Sequence, residues 1–129
     1  MFKRPNQNPI VKNILIVDDE EDVLFLLKGY LTVKGYNVQT TLTCEHALEI
    51  FYLTKPDIVL VDVNVGNTDG RIMCKTIKTQ AEYQHIPVIL MSADHNNLLK
   101  YTDHGATAVI EKPFNLPAVL SAIRLQLLQ

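Results

Sequence analysis

A five-stranded parallel sheet with helices on both faces is predicted for this 129-residue chain by three observations. Short unbroken apolar runs rich in Val and Ile recur along it, as strands buried on both faces of a parallel sheet require. Segments with apolar residues at helical spacing lie between those runs. Strand and helix alternate five times, which calls for right-handed crossovers and a doubly wound (βα)5 arrangement.

The elements follow in order. The first strand spans residues 14–17, and the first helix carries a stripe of Val23, Leu26, Leu27, Tyr30 and Leu31. Gly35 follows as a C-terminal glycine would. A weaker strand, residues 36–41, leads to a helix over 45–53 with Ala47, Ile50 and Phe51 facing inward. Pro56 separates that helix from the third strand, 57–61, and a third helix fits 70–79 with Met73 and Ile77. The fourth strand is 87–91. A fourth helix is expected over 96–103 with Leu98 and Tyr101 inward, closed by Gly105. A fifth strand over 107–110 precedes a helix with Leu116, Val119, Leu120, Ile123 and Leu127 on one face.

Composition agrees with one soluble globular domain. Apolar residues make up 47% and charged residues 20% of the chain, so a core can form without metals or disulfides. Residues 1–12 read as a polar, proline-bearing tail and 13–129 as the domain. No apolar run approaches the roughly 20 residues of a membrane span, and a cytoplasmic protein without membrane contact is expected. A net charge of −2 argues against direct nucleic-acid binding, which usually shows as a basic stripe. Cys44 and Cys74 lack metal-site spacing and read as reduced, packed thiols.

Open α/β sheets bind ligands beyond the carboxyl ends of their strands. Asp18 and Asp19 follow the first strand, Asp62 the third, Ser92 the fourth and Lys112 the fifth. Three carboxylates on one edge repel, by on the order of 4 kcal/mol per pair about 4 Å apart at an effective dielectric of 20. Lys112 offsets one charge, and the remaining two suit a divalent cation with oxygen ligands, magnesium or manganese. Each residue taken alone has a plainer role: helix-capping acids, a turn aspartate, an N-cap serine, a solvated lysine. Their joint placement at the ends of different strands is what points to chemistry.

These residues resemble the receiver domain of two-component response regulators, from about residue 12 to 128. The likeness rests on Ile14-Leu-Ile-Val-Asp18-Asp19-Glu20, Asp57-Ile-Val-Leu-Val-Asp62, Val88-Ile-Leu-Met-Ser92-Ala93, and Gly105-Ala106 leading to Lys112-Pro113-Phe114. It implies the flavodoxin-like strand order 2-1-3-4-5. It implies that Asp62 is the phosphoacceptor, and that Asp18, Asp19, Asp62 and the backbone carbonyl of Asn64 hold magnesium. Ser92 and Lys112 would bind the phosphoryl group, the Lys112–Pro113 bond would be cis, and Asn64 and Asp94 would tune dephosphorylation. The donor would be a histidine kinase or a histidine phosphotransfer protein. The reader would be a downstream protein or an output domain.

The sequence departs from that family in two places. Gly66 stands where proline is usual, so a more mobile loop is expected, and Val109 occupies the commonly aromatic switch position. These departures leave open a degenerate receiver that docks proteins without being phosphorylated. A haloacid-dehalogenase-type phosphatase would need a second acid where Asn64 stands. A flavodoxin-type carrier would need a phosphate loop where this chain has five consecutive acids, 18–22.

Overall fold

The computed structural model describes residues 10–128. The elements are β1 (Asn13–Val17), α1 (Glu21–Val33), β2 (Asn37–Thr41), α2 (Cys44–Thr54), β3 (Ile58–Asp62), β4 (Asn64–Val65), β5 (Thr68–Asp69), α3 (Gly70–Lys78), β6 (Val88–Ser92), β7 (Ala108–Glu111) and α4 (Leu116–Leu127). Three 3₁₀ turns add to these, at Ala81–Tyr83, His95–Leu98 and Tyr101–His104. Residues 1–9 of the expected tail lie outside the described residues. Ile10 and Val11 precede β1 and are exposed. Among the described residues no helix is long and apolar enough to cross a membrane.

The five long strands form one parallel sheet in the order β2-β1-β3-β6-β7, which is the expected 2-1-3-4-5 once the small β4–β5 hairpin is set aside. Successive side chains of a strand point to opposite faces, and both faces are covered. Leu15, Val17, Val59, Val61 and Leu90 pack with Phe51 of α2 and Met73, Cys74 and Ile77 of α3. Ile14, Ile16, Ile58, Leu60, Ile89 and Met91 pack with Leu24, Leu27 and Leu31 of α1 and Val119, Leu120 and Ile123 of α4. Double burial is why these strands read as unbroken apolar runs.

Val23, Leu27, Tyr30 and Leu31 of the expected α1 stripe face the core, and Leu24 takes the place expected for Leu26. Leu24, Leu27 and Leu31 are buried, whereas Leu26 is 53% exposed. Five consecutive apolar residues, Val23 to Leu27, leave that choice open to spacing, and packing on the sheet selects Leu24. The end of α1 matches expectation. Gly35 at φ +100° lets its N–H reach the Thr32 carbonyl and the Tyr36 N–H reach that of Leu31, a Schellman cap.

The expected helix over 96–103 does not form. In its place are two 3₁₀ turns separated at Lys100, which adopts left-handed φ and ψ of 54° and 34°. Asn96 and Asn97 are poor helix formers, and Asp94 turns its carboxylate onto the Asn96 N–H at 2.9 Å. The segment offers the core only Leu98 and Tyr101, one from each turn, which is little packing to hold a continuous helix. The loop after β3 contains a small hairpin that the sequence reading did not include. It closes as a two-residue hairpin with Val65 buried and Gly66 in its turn at φ +60°.

Candidate functional site

The register brings the strand ends together. Val17 pairs with Val61, Asp62 with Met91 and Ser92 with Glu111, so Asp18, Asp62, Ser92 and Lys112 all stand at the carboxyl edge of the sheet. Asp18 is fully buried and Asp62 is 5% exposed.

The Lys112 ammonium joins the acids. Its Nζ lies 2.6 Å from Asp18 Oδ2, 2.5 Å from Asp62 Oδ2 and 3.4 Å from Glu20 Oε1. The second oxygens of the two buried acids take backbone donors: the Glu20 N–H donates to Asp18 Oδ1 at 2.9 Å and the Asn64 N–H to Asp62 Oδ1 at 2.8 Å. Burial pushes the Asp18 carboxyl above the usual carboxylate range, outweighing the opposing pull of Lys112 and the Glu20 amide. Burial would also lower Lys112, but hydrogen bonds and attraction from Asp18 and Asp62 prevail and hold the ammonium above the ordinary lysine range. One ammonium is shared between two buried acids, so it leaves them incompletely neutralised.

Oxygens of Asp18, Glu20 and Asp62 lie within 4.8 Å of one another. Three carboxylates against one ammonium leave two negative charges, and the all-oxygen donor set suits magnesium or manganese. Asp19, predicted as a ligand, is exposed and turned elsewhere: its Oδ2 accepts the Gly66 N–H at 2.9 Å. Glu20 is the third carboxylate beside the two buried acids and Lys112, a placement that the sequence reading missed. The chain bends at Asp19 as it leaves β1, and the Glu20 N–H turns back onto Asp18, a local turn that strand alternation does not foretell.

Ser92 is fully buried, and its Oγ accepts the Asp94 N–H at 3.0 Å. As a hydroxyl that accepts one bond it retains a proton to donate. Asn64 and Asp94 are exposed at the rim of the site. The Lys112–Pro113 peptide bond is cis, and the Lys112 N–H donates to the Ser92 carbonyl at 2.9 Å. Val109 is half-buried against the α2–α3 core. Glu111 pairs with His95 across the β6–β7 edge.

An open parallel α/β sheet of this strand order, with acids and a lysine gathered at its carboxyl edge, is the arrangement expected of a receiver-type signalling domain. Residues 14–124 match the family model of the response regulator receiver domain, and the chain belongs to that family. It is 33% identical over 119 residues to the transcriptional regulatory protein YxdJ of Bacillus subtilis, covering 91% of this chain and 51% of that protein. It thus spans about half the length of that curated relative. The receiver domain of a signal transduction histidine kinase from Syntrophus aciditrophicus superposes with a TM-score of 0.82 at 29% identity, covering 91% of this chain and 90% of that one. The chemotaxis response regulator CheY4 of Vibrio cholerae shares the fold, with a TM-score of 0.84 at 24% identity over 91% of this chain and 99% of that one.

Proposed function

We propose that Asp62 accepts a phosphoryl group from a phosphohistidine of a histidine kinase or histidine phosphotransfer protein, with magnesium or manganese required, and that the change of charge is relayed by a conformational change. The observation that carries this reading is the convergence of buried Asp62 and Asp18 on one ammonium at the carboxyl edge of the sheet. An Asp62 oxygen attacks phosphorus in line with the imidazole: the new O–P bond forms as the P–N bond breaks, and the imidazole leaves with the electron pair. A bound divalent ion would neutralise charge on the transferring oxygens, held by Asp62, Asp18 and a further carboxylate of the acid run, with the Asn64 carbonyl as an added ligand.

The chain's own residues do the rest. Lys112 reduces the negative charge that the incoming phosphoryl group meets. Ser92 can give its hydroxyl proton to a phosphoryl oxygen, loosening its bond from the Asp94 N–H and shifting the β6–3₁₀ segment. This relay replaces an aromatic switch, since Val109 has no ring to swing. Asn64 and Asp94 stand where a hydrolytic water would be held, which favours a short or moderate acyl-phosphate lifetime. The domain would thus promote its own phosphorylation and dephosphorylation.

We assign 13–129 to the receiver and 1–12 to a tail, place the chain in the cytoplasm, and expect neither membrane contact nor direct nucleic-acid contact from it. A downstream protein or an output domain would read the signal. The test is to add acetyl phosphate or beryllofluoride with magnesium to the native chain and to Asp62→Asn. A mass or fluorescence change confined to the native chain supports the reading. No change in either favours a docking module that is never phosphorylated.

A further inference from the structure

All four carboxylate oxygens of Asp18 and Asp62 already have partners: two backbone N–H groups and, shared between the Oδ2 atoms, the Lys112 ammonium. A divalent ion that draws on the Oδ2 atoms of the two acids therefore competes with Lys112. The lysine side chain is only 11% exposed, so releasing its ammonium without another anion leaves a poorly solvated charge, which is costly.

Glu20 is placed to receive that charge. Its Oε1 is already 3.4 Å from Nζ, a looser contact than the other two, and its side chain is 63% exposed. The carboxylate is therefore free to follow the ammonium. Its neighbour Asp19 is committed to the Gly66 N–H, and Glu21 and Asp22 lie in the first turn of α1. Among the described residues, no other carboxylate outside the two buried acids pairs with Lys112.

We infer that Glu20 is a positioning residue for Lys112: it retains the ammonium at the rim of the site when Asp18 and Asp62 bind a divalent ion, so that the lysine stays within reach of the phosphoryl group. The inference rests on the metal-dependent reading above. It predicts that Glu20 affects metal binding only through Lys112.

A double-mutant cycle on manganese binding to the full chain, read by electron paramagnetic resonance, tests this. Glu20→Gln should weaken binding about two- to five-fold, the range of a partly exposed ion pair. Lys112→Met should tighten it, and adding Glu20→Gln to Lys112→Met should change nothing further. An equal loss in both backgrounds would make Glu20 a direct ligand and overturn the proposal, as would no loss in the native background. Should Lys112→Met not fold, the Lys112 ammonium signal in proton–nitrogen spectra decides. With magnesium saturating, the signal should persist in the native chain and vanish by exchange in Glu20→Gln, and persistence in both overturns the role. Failure of the parent reading looks different: native protein and Asp62→Asn would bind manganese equally poorly.

Discussion

The Lys112 ammonium is shared between Asp62 and Asp18, 2.5 Å from one carboxylate and 2.6 Å from the other, and it ties the end of β7 to the ends of β3 and β1. Removing it strands two buried acids. Lys112→Met should therefore cost about 3–5 kcal/mol of stability in metal-free buffer, as breaking a buried pair does. Magnesium should restore part of that loss by replacing the missing charge. Urea midpoints with and without magnesium measure both effects.

The same contact sets a pH dependence. Lys112 is held above the ordinary lysine value, so its contribution is complete at neutral pH. It is lost as pH rises from about 10.4 through the folded value, because the unfolded chain gives up the proton first. Asp18 works in the same direction, in the acid range. Its raised value means the folded state keeps that proton longer, so its ionisation lowers stability as pH rises from about 3.9. Urea midpoints across alkaline pH should fall for the native chain, and Lys112→Met should lack that part of the fall.

Gly70 starts α3 directly against the backbone of Asp62. A Cβ there would lie 2.0 Å from the Asp62 carbonyl oxygen and 2.9 Å from Val61 Cγ2, so a backbone must move. Gly70→Ala should destabilise by about 1–3 kcal/mol, as overpacking does, and should weaken the beryllofluoride response by displacing Asp62. Gly29, inside α1, has nothing within 4 Å of the same added atom. Gly29→Ala should instead stabilise by about 0.5–1 kcal/mol. Opposite shifts in thermal midpoint for the two variants check the argument, and a matching fall in both would contradict it.

The contrast between legible and illegible features has a physical basis. The three central strands were readable because they bury both faces, so Ile58 to Val61 could not be mistaken for a half-exposed segment. The edge strands β2 and β7 are partly exposed and gave the weaker runs. Which of Leu24 and Leu26 turns inward in α1 was not readable, because Val23 to Leu27 are all apolar and Phe25 and Leu26 are nonetheless exposed. Spacing alone could not show that 96–103 would break, since Leu98 and Tyr101 meet the core from two separate turns as they would from one helix. At the site, Asp18, Asp62, Ser92 and Lys112 were found from their positions after strands. Which of Asp19 and Glu20 turns inward depends on how the chain leaves β1, and on a Gly66 N–H that proline at that position would not have offered.

Cys74 is fully buried on the inner face of α3, and burial pushes its thiol up to about 12. At pH 8 only about one molecule in ten thousand then carries a thiolate there, and the thiolate is the reactive form. Labelling by a disulfide reagent should therefore proceed only through opening of the fold. Its rate in the Cys44→Ala background should rise steeply with sub-denaturing urea. Fast labelling without denaturant would contradict the packing of α3.

The hairpin after β3 makes a prediction that runs against the family's usual residue. Gly66 sits at φ +60° and its N–H donates to Asp19 Oδ2 at 2.9 Å. Proline fixes φ near −65° and has no N–H, so Gly66→Pro loses both the turn conformation and the tie to the acid run. The expected cost is on the order of 2 kcal/mol, combining left-handed strain with a lost charge-assisted bond. Gly66→Ala separates the two terms. It keeps the N–H and meets nothing within 4 Å, so only the conformational cost of about 1 kcal/mol remains. Asp19→Ala removes the bond while leaving the glycine in place. Urea midpoints should therefore rank Gly66→Pro lowest, with Gly66→Ala and Asp19→Ala between it and the native chain. If Gly66→Pro matches the native chain, the hairpin is not held by these two features, and the loop has the freedom that its sequence suggested.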